Sequence, residues 1–540
     1  MQKVKVLLSI IMVAALVLSG CSNNESSSGT SEDNSSNGGG TLVFGRGADA
    51  VSLDPINVTD GESIRSTNNI YETLFTYDNN LKLQPKLAMG YETSEDGLTW
   101  TIKLRDDVKF HDGTKFNADA VVFNFDRWMD KENPYHQGGD FVYYSFLYGG
   151  FKGDENHLIE SVKAIDETTV EFKLKEKTAP FISYLAIPMF GIASPDAIKK
   201  YNEKFNEHPV GTGPFKFKEW KRNDTVTLEK NEDYYVDGKP ELDRLIFKVI
   251  PDNTARLTAL QTGEIDMMDG LDPSKADSVK NNESLDLIER PSFNIGYLAF
   301  NMEKEPFNDV KVRKAINYAI DRKAIVDAFY SGLGEVAKNP LPPSLWGYND
   351  NVEGYELDIE KAKKLLKEAG YEDGFKTQLW TMSNPRPYLP QPQKIAEALQ
   401  SDLSKIGIEV EIVTYEWATY LDKTSQGGHP MALFGWTGVM ADPDNFLFPN
   451  LDKSNAEVPA NNRAFYKSEE VHQLLVKARQ TLDQEKRADI YKEVQEILYK
   501  DAPWANLVHT TPPLAKAKYV EGFKAHPMND DLFTNVTLSK

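Results

Sequence analysis

Arg386 is the residue whose setting says most about chemistry. It lies between Pro385 and Pro387 on a loop that the two rings stiffen. Its guanidinium is a rigid fork of donors, suited to gripping a carboxylate through two parallel hydrogen bonds. Pairing with a structural aspartate is the alternative use of such a group. Tyr388 and Trp417, the latter in Thr414-Tyr415-Glu416-Trp417, each offer an apolar face with one polar handle, the material of a pocket wall or of a core. Trp436, in Gly435-Trp436-Thr437-Gly438, reads first as packing. Catalytic punctuation is harder to find. The eight histidines never fall at His-x-x-His or His-x-x-x-His spacing, so a protein-built zinc site is not expected. Gly211-Thr212-Gly213-Pro214-Phe215 begins like a dinucleotide loop but lacks the third glycine, and Pro214 would break the helix start that grips a pyrophosphate. There is no Gly-x-Ser-x-Gly elbow and no phosphate-binding loop, and the carboxylates are too numerous for one acid and base pair to stand out. Neither an enzyme nor a cofactor is expected.

The chain that carries these residues has 540 positions, enough for two to four domains. Its 61 lysines and arginines against 82 aspartates and glutamates give a net charge of −21, which would repel a polyanion and argues against nucleic acid. The single cysteine, Cys21, excludes an internal disulfide and a thiolate metal cage. Lys3 and Lys5 precede an apolar run from Val6 to Leu18 and then Ser19-Gly20-Cys21, the layout of a secretory signal rather than of a membrane span. Residues 1–20 are therefore expected to be removed. Ser22 to Gly40 hold nothing apolar to bury and read as a flexible linker, with about 25 Å of average reach by random-coil scaling.

Past residue 40, short alternating strands mix with amphipathic helices. Leu98 to Arg105 alternates around Trp100, Ile102 and Leu104, and Thr169 to Leu174 around Val170, Phe172 and Leu174. Asp358 caps a predicted helix with Ile359, Ala362, Leu365, Leu366 and Ala369 on one face and Gly370 at its end. A second helix is predicted from about Gln393 to Lys405, leading through Gly407 into a strand alternating at Ile408, Val410 and Ile412. A third, Lys486 to Tyr499, points Ile490, Val494, Ile497 and Leu498 inward and stops before Pro503. Helix followed by strand marks an α/β class.

Several segments carry a family resemblance. Asp96-Gly97-Leu98-Thr99-Trp100-Thr101-Ile102-Lys103-Leu104-Arg105 with Val108-Lys109-Phe110-His111-Asp112-Gly113, then His208-Pro209-Val210-Gly211-Thr212-Gly213-Pro214-Phe215, Asp309 to Ile316 and Leu341 to Tyr348, resemble in order the blocks of the peptide, opine and nickel solute-binding proteins of ABC importers, family 5. Leu18-Ser19-Gly20-Cys21 likewise resembles a bacterial lipobox, which implies a diacylated Cys21 and two-chain anchoring at a membrane surface. Arg386-Pro387-Tyr388, Thr414 to Trp417 and Gly435 to Gly438 resemble the dipeptide-binding branch most closely.

The resemblance implies a two-lobed periplasmic-binding fold of type II, cluster C, with an inserted domain and a hinge. Domain I would take residues 41–72, 210–290 and 510–540, domain II 73–209, and domain III 291–509. A short peptide or related small carboxylate would bind in the interlobe cleft of a monomer, which hands it to permease subunits driven by a separate ATPase. Arg386 would hold the ligand's carboxyl terminus, and Tyr388, Trp417, Trp436 and Gly438 would line the cleft. Relatives that bind peptides usually place an aspartate directly after Gly-Trp-Thr-Gly to hold the ligand's ammonium; here Val439, Met440 and Ala441 precede Asp442. Either Asp442 or a residue of another loop, such as Asp60, replaces it, or the ligand lacks a free amine there, because an unpaired buried ammonium is costly. Asp442, before Pro443, also reads as a turn residue. Glutathione, haem or a metal chelate are alternative ligands on the same fold, and a secreted hydrolase is the remote alternative.

Overall fold

The computed structural model describes residues 39–540. The signal, Cys21 and the linker up to residue 38 lie outside the described residues. Among the described residues, no helix is long and apolar enough to cross a membrane.

Three principal sheets carry the body. The first has seven strands drawn from three separate stretches of chain, in the order Leu285–Glu289, Pro513–Ala517, Met267–Met268, Thr41–Arg46, Arg244–Val249, Thr225–Lys230, Phe215–Lys221. Thr41–Arg46 runs parallel to both of its neighbours, and Leu42 and Phe44 are fully buried. The second is a four-stranded antiparallel sheet ordered Ala88–Thr93, Thr99–Leu104, Thr169–Leu174, Ile159–Asp166. Its two central strands are the alternating segments read from the sequence, with Trp100, Ile102, Leu104, Val170, Phe172 and Leu174 all buried. The third has six strands ordered Gly334–Val336, Trp504–Thr510, Asn294–Phe300, Met431–Thr437, Phe375–Met382, Ile408–Tyr415. All seven residues of Asn294–Phe300 are buried, as a central strand covered on both faces requires.

The helices around the third sheet follow the sequence reading closely. Asp358 accepts from Lys361 N at the start of Ile359–Glu368, and Gly370 behind its end takes a positive φ of 87°. Pro392–Ser404 buries Ile395, Leu399 and Leu403 before the strand Ile408–Tyr415. The last long helix is Gln484–Asp501, longer at both ends than predicted because Asp483 caps it and the chain turns only at Ala502. Ile490, Val494 and Leu498 face inward, whereas Ile497 is half-buried. Gly211 and Gly213 serve packing: a Cβ on either would stand 2.2 and 2.7 Å from the backbone of Ile70.

Between the first and third sheets the chain crosses twice, from Glu289 to Asn294 and from Thr510 to Pro513. The two crossings are stapled to each other. Asn294 Nδ2 donates to Thr510 O at 3.0 Å, Thr510 N donates to Asn294 Oδ1 at 3.0 Å, and Arg290 N donates to Pro512 O at 3.1 Å. On the first-sheet side, Arg290 is fixed by two bonds of 2.8 and 2.7 Å to the carboxylate of Asp531, which the two buried arginines Arg290 and Arg65 help to hold down at a pKa of about 2 against its burial.

Candidate functional site

The third sheet carries the turn that bears Arg386. Arg386 N donates to Leu389 O at 3.0 Å and Leu389 N to Arg386 O at 2.9 Å, so Pro387 and Tyr388 form a closed two-residue loop, with proline at the position that its fixed φ suits. The loop is bolted down from outside. Thr510 Oγ1 donates to Pro387 O at 3.0 Å, which ties it to one of the crossings, and Tyr330 Oη donates to Tyr388 O at 3.0 Å. Beneath it lies Gly435: a Cβ there would stand 2.2 Å from Tyr388 Cδ2, so only glycine lets the ring lie against the strand. Burial pushes the Tyr388 hydroxyl up to about 12, with the Arg386 charge opposing.

Arg386 itself is half-buried. Its Cζ stands 3.6 Å from the ring centroid of Trp417, close enough for a cation–π contact. No protein group among the described residues hydrogen-bonds its guanidinium, and Nε is buried without a partner. Burial lowers its pKa from the usual value, and the neighbouring Tyr388 and Glu416 raise it. Glu416 has its own task, capping the helix Trp417–Ser425 by accepting from Ala418 N at 2.9 Å. That cap starts the helix at Trp417, which places the indole under the arginine and stacks it on Tyr420 at 6.1 Å and 24°.

Trp436 and Gly438 stand at the end of the neighbouring strand, Met431–Thr437. Trp436 is half-buried, and its Nε1 lies 3.4 Å from Asn445 Oδ1. Gly438 is buried where a Cβ would meet Phe293 Cε1 at 2.2 Å and Phe446 Cε2 at 2.7 Å. Val439 donates its N–H to Asn445 Oδ1 at 2.9 Å.

The two acidic candidates lie elsewhere and have partners of their own. Asp442 is buried and takes both ends of the Arg487 fork, at 2.8 Å each, as well as Asp444 N at 3.0 Å. Its burial raises its pKa and Arg487 lowers it. A ligand ammonium there would have to displace a guanidinium. Asp60 caps the helix Gly61–Thr67, accepting from Glu62 N at 3.1 Å, Ser63 N at 2.9 Å and Ser63 Oγ at 2.6 Å. The structure thus gathers Arg386, Tyr388 and Trp417 into one group and sets Trp436 and Gly438 on the strand against which Tyr388 packs. Among the described residues no hydrogen bond or ion pair joins Asp442 or Asp60 to that group.

A second arginine without a guanidinium partner among the described residues leaves no mark in the sequence. Arg463 is half-buried, its Nη1 is buried without a partner, and its Cζ lies 5.8 Å from the Phe434 ring centroid. Asn462-Arg463-Ala464 carries no spacing signal, since lack of a partner is a property of the folded surroundings.

This architecture matches that of solved receptors. The ABC transporter-associated periplasmic binding protein DppA from Helicobacter pylori, in complex with peptide STSA, superposes with a TM-score of 0.81 at 38% identity, over 93% of this chain and 99% of that one. The fold is that of the two-lobed periplasmic binding proteins. Residues 82–457 match the family described as bacterial extracellular solute-binding proteins, family 5 middle. The dipeptide-binding protein of Escherichia coli K12 is 39% identical over 467 residues, 84% of this chain and 86% of the relative. Heme-binding protein A of Haemophilus influenzae is 37% identical over 513 residues, 92% of each. The chain belongs to the family 5 extracellular solute-binding proteins, a family of binding proteins rather than enzymes.

Proposed function

We propose that this protein captures dipeptides or short oligopeptides and delivers them to the permease of an ABC importer, acting as a monomer anchored to the outer face of the cell membrane through lipid on Cys21. The lobes follow the sheets: residues 41–72, 210–290 and 510–540, with 73–209 inserted, face residues 291–509 across a cleft. Two stapled crossings suit a hinge that closes on ligand.

The observation that carries the reading is the Arg386 guanidinium lying over Trp417 with no hydrogen-bonding partner among the described residues, on a turn held rigid from three sides. A half-buried cation with unused donors and an unpartnered buried Nε gains when an anion arrives, and a peptide's terminal carboxylate matches the fork. Tyr388, Trp417, Trp436 and Gly438 would line the cleft around it. Asp442 and Asp60 remain candidates for the ligand's amine only if they exchange a present partner for it.

Titration calorimetry of a dipeptide against its C-terminal amide tests this. The amide should bind at least about tenfold more weakly to the wild type, and Arg386→Met should remove that difference. Equal affinities for acid and amide would overturn the assignment. Val439, standing where peptide-binding relatives usually place an aspartate, favours a second reading in which the ligand has no ammonium at that point; the likeness to a protein named for haem keeps such ligands in the comparison. Mass spectrometry of the molecule that co-purifies separates the two.

A further inference from the structure

We infer that Arg463 is a second anion-receiving group, so that the preferred ligand carries an acidic group besides the carboxylate gripped by Arg386. The inference rests on the peptide-binding reading and deepens it.

Among the described residues, the arginines that are not exposed divide sharply. Arg46, Arg65, Arg127, Arg290, Arg479 and Arg487 each reach a carboxylate. Arg256, Arg313 and Arg322 are satisfied by backbone carbonyls, and Arg105 chelates Asp107. Of these arginines, only Arg386 and Arg463 hydrogen-bond none of the described residues through their guanidinium groups. Both are half-buried and both lie over aromatic rings.

The two are linked by a ladder of rings. Arg386 covers Trp417, Trp417 stacks on Tyr420 at 6.1 Å, Tyr420 packs on Phe434 at 5.0 Å, and Phe434 underlies Arg463. Phe434 precedes Trp436 by two positions in the strand Met431–Thr437, so the two share a face of the sheet. Burial lowers the pKa of Arg463, and only Tyr297 and Tyr420 oppose that; neither hydroxyl is ionised at neutral pH, because burial pushes both upward. Among the described residues no carboxylate supplies a countercharge.

Arg463 is nonetheless held in place. His429 lies 2.8 Å through Nε2 from Arg463 O, and burial lowers the imidazole's pKa to about 4, so the ring is neutral and donates that proton to the carbonyl. A fixed backbone with an unmatched cation over apolar rings matches the build of the Arg386 site. A glutamate or aspartate side chain of the ligand would supply the missing charge.

The experiment uses Ala-Glu against Ala-Gln and Glu-Ala against Gln-Ala, pairs that differ in charge and hardly in shape, titrated into the full chain. The wild type should favour the glutamate member of at least one pair by about tenfold or more. Arg463→Met should abolish that preference while neutral peptides bind within about twofold of wild type. A preference that survives Arg463→Met, or its absence in the wild type, overturns the inference. Arg386→Met separates the two assignments: the Glu/Gln preference should persist there on a weakened background, whereas the acid/amide difference should vanish. If Arg463→Met fails to fold, Arg463→Lys provides the readout, keeping charge but losing the fork, and it should retain part of the preference; loss of none of it counts against a fork-held carboxylate.

Discussion

Within one half of the chain, Arg479 and Arg487 contrast with Arg386 and Arg463. Arg487 reaches Asp442 through two bonds of 2.8 Å, and Arg479 reaches Asp444 at 2.7 and 2.9 Å. The backbone of Arg479 is tied down as well: Ala179 N donates to Arg479 O at 2.6 Å. Arg386 and Arg463 have rings beneath them and, among the described residues, no carboxylate hydrogen-bonded to the guanidinium. A cation matched inside the protein maintains the fold, and removing its partner leaves a buried charge behind. A cation left unmatched does little for the empty fold and is available to a ligand.

The largest test of that contrast is thermodynamic. Arg487→Met should lower the free energy of unfolding in urea by about 3–5 kcal/mol, because it strands the buried Asp442 carboxylate. Arg386→Met, which strands nothing, should change stability by only about 0.5 kcal/mol. Similar losses in the two variants would erase the distinction. Asp442→Asn adds a check on the ligand's amine: it should destabilise the fold yet leave the ratio of affinities for a peptide and its N-acetyl form unchanged, unless Asp442 trades Arg487 for the ligand.

The second test is pH. In the folded chain, burial lowers the pKa of His429 to about 4, with the charges of Arg463 and Lys304 in the same direction and the bond to Arg463 O opposing. Unfolded, the imidazole titrates near its ordinary 6.5. Between those values the unfolded chain binds the extra proton, so stability rises with pH across the window and is lost as pH falls from about 6.5 towards 4. The full effect is on the order of 3 kcal/mol for this group. His429→Gln should flatten part of the slope in denaturant midpoints taken from pH 7 to 4.5; His509, likewise lowered to about 4 by burial, supplies another part. An unchanged slope in the variant would show that the ring beside Arg463 is not held neutral.

How much of this could be read from the sequence follows the range of the interactions. Periodicity placed Thr169–Leu174, Ile359–Glu368, Pro392–Ser404 and Ile408–Tyr415, because those elements declare their buried face every two or every three to four residues. Arg386 was visible because its prolines are adjacent to it. The pairing of Asp442 with Arg487, 45 residues away, left no local trace, so Asp442 read as a turn residue or a ligand group. Gly435 drew notice only as part of a motif, since the need for it comes from the Tyr388 ring arriving from another loop. Arg463 is the extreme case: what marks it is the partner it does not have.

Gly435→Ala sharpens the comparison from the packing side. The added methyl would fall 2.2 Å from Tyr388 Cδ2, and displacing a buried ring costs roughly 1–3 kcal/mol. Because Tyr388 and Arg386 share one turn, the acid/amide difference should shrink in the same variant. The Glu/Gln preference assigned to Arg463 should stay, since Phe434 points to the opposite face. Loss of both preferences would mean that the two arginines do not act separately.

The smallest expected effect comes from Thr510→Val, which keeps the shape and removes the hydroxyl that donates to Pro387 O at 3.0 Å. The backbone staple between the crossings remains, because Asn294 bonds the N–H and C=O of residue 510. Stability should fall by about 0.5–1.5 kcal/mol, the net value of one hydrogen bond whose acceptor, on the exposed Pro387, can turn to water. If the turn that holds Arg386 takes its position from the hinge, affinity for peptide acids should drop several-fold while the amides are unaffected, since only the carboxylate feels a displaced fork. A uniform drop for acid and amide alike would mean that Thr510 supports the lobe as a whole, and the link from hinge to arginine would have to be sought through Tyr330 instead.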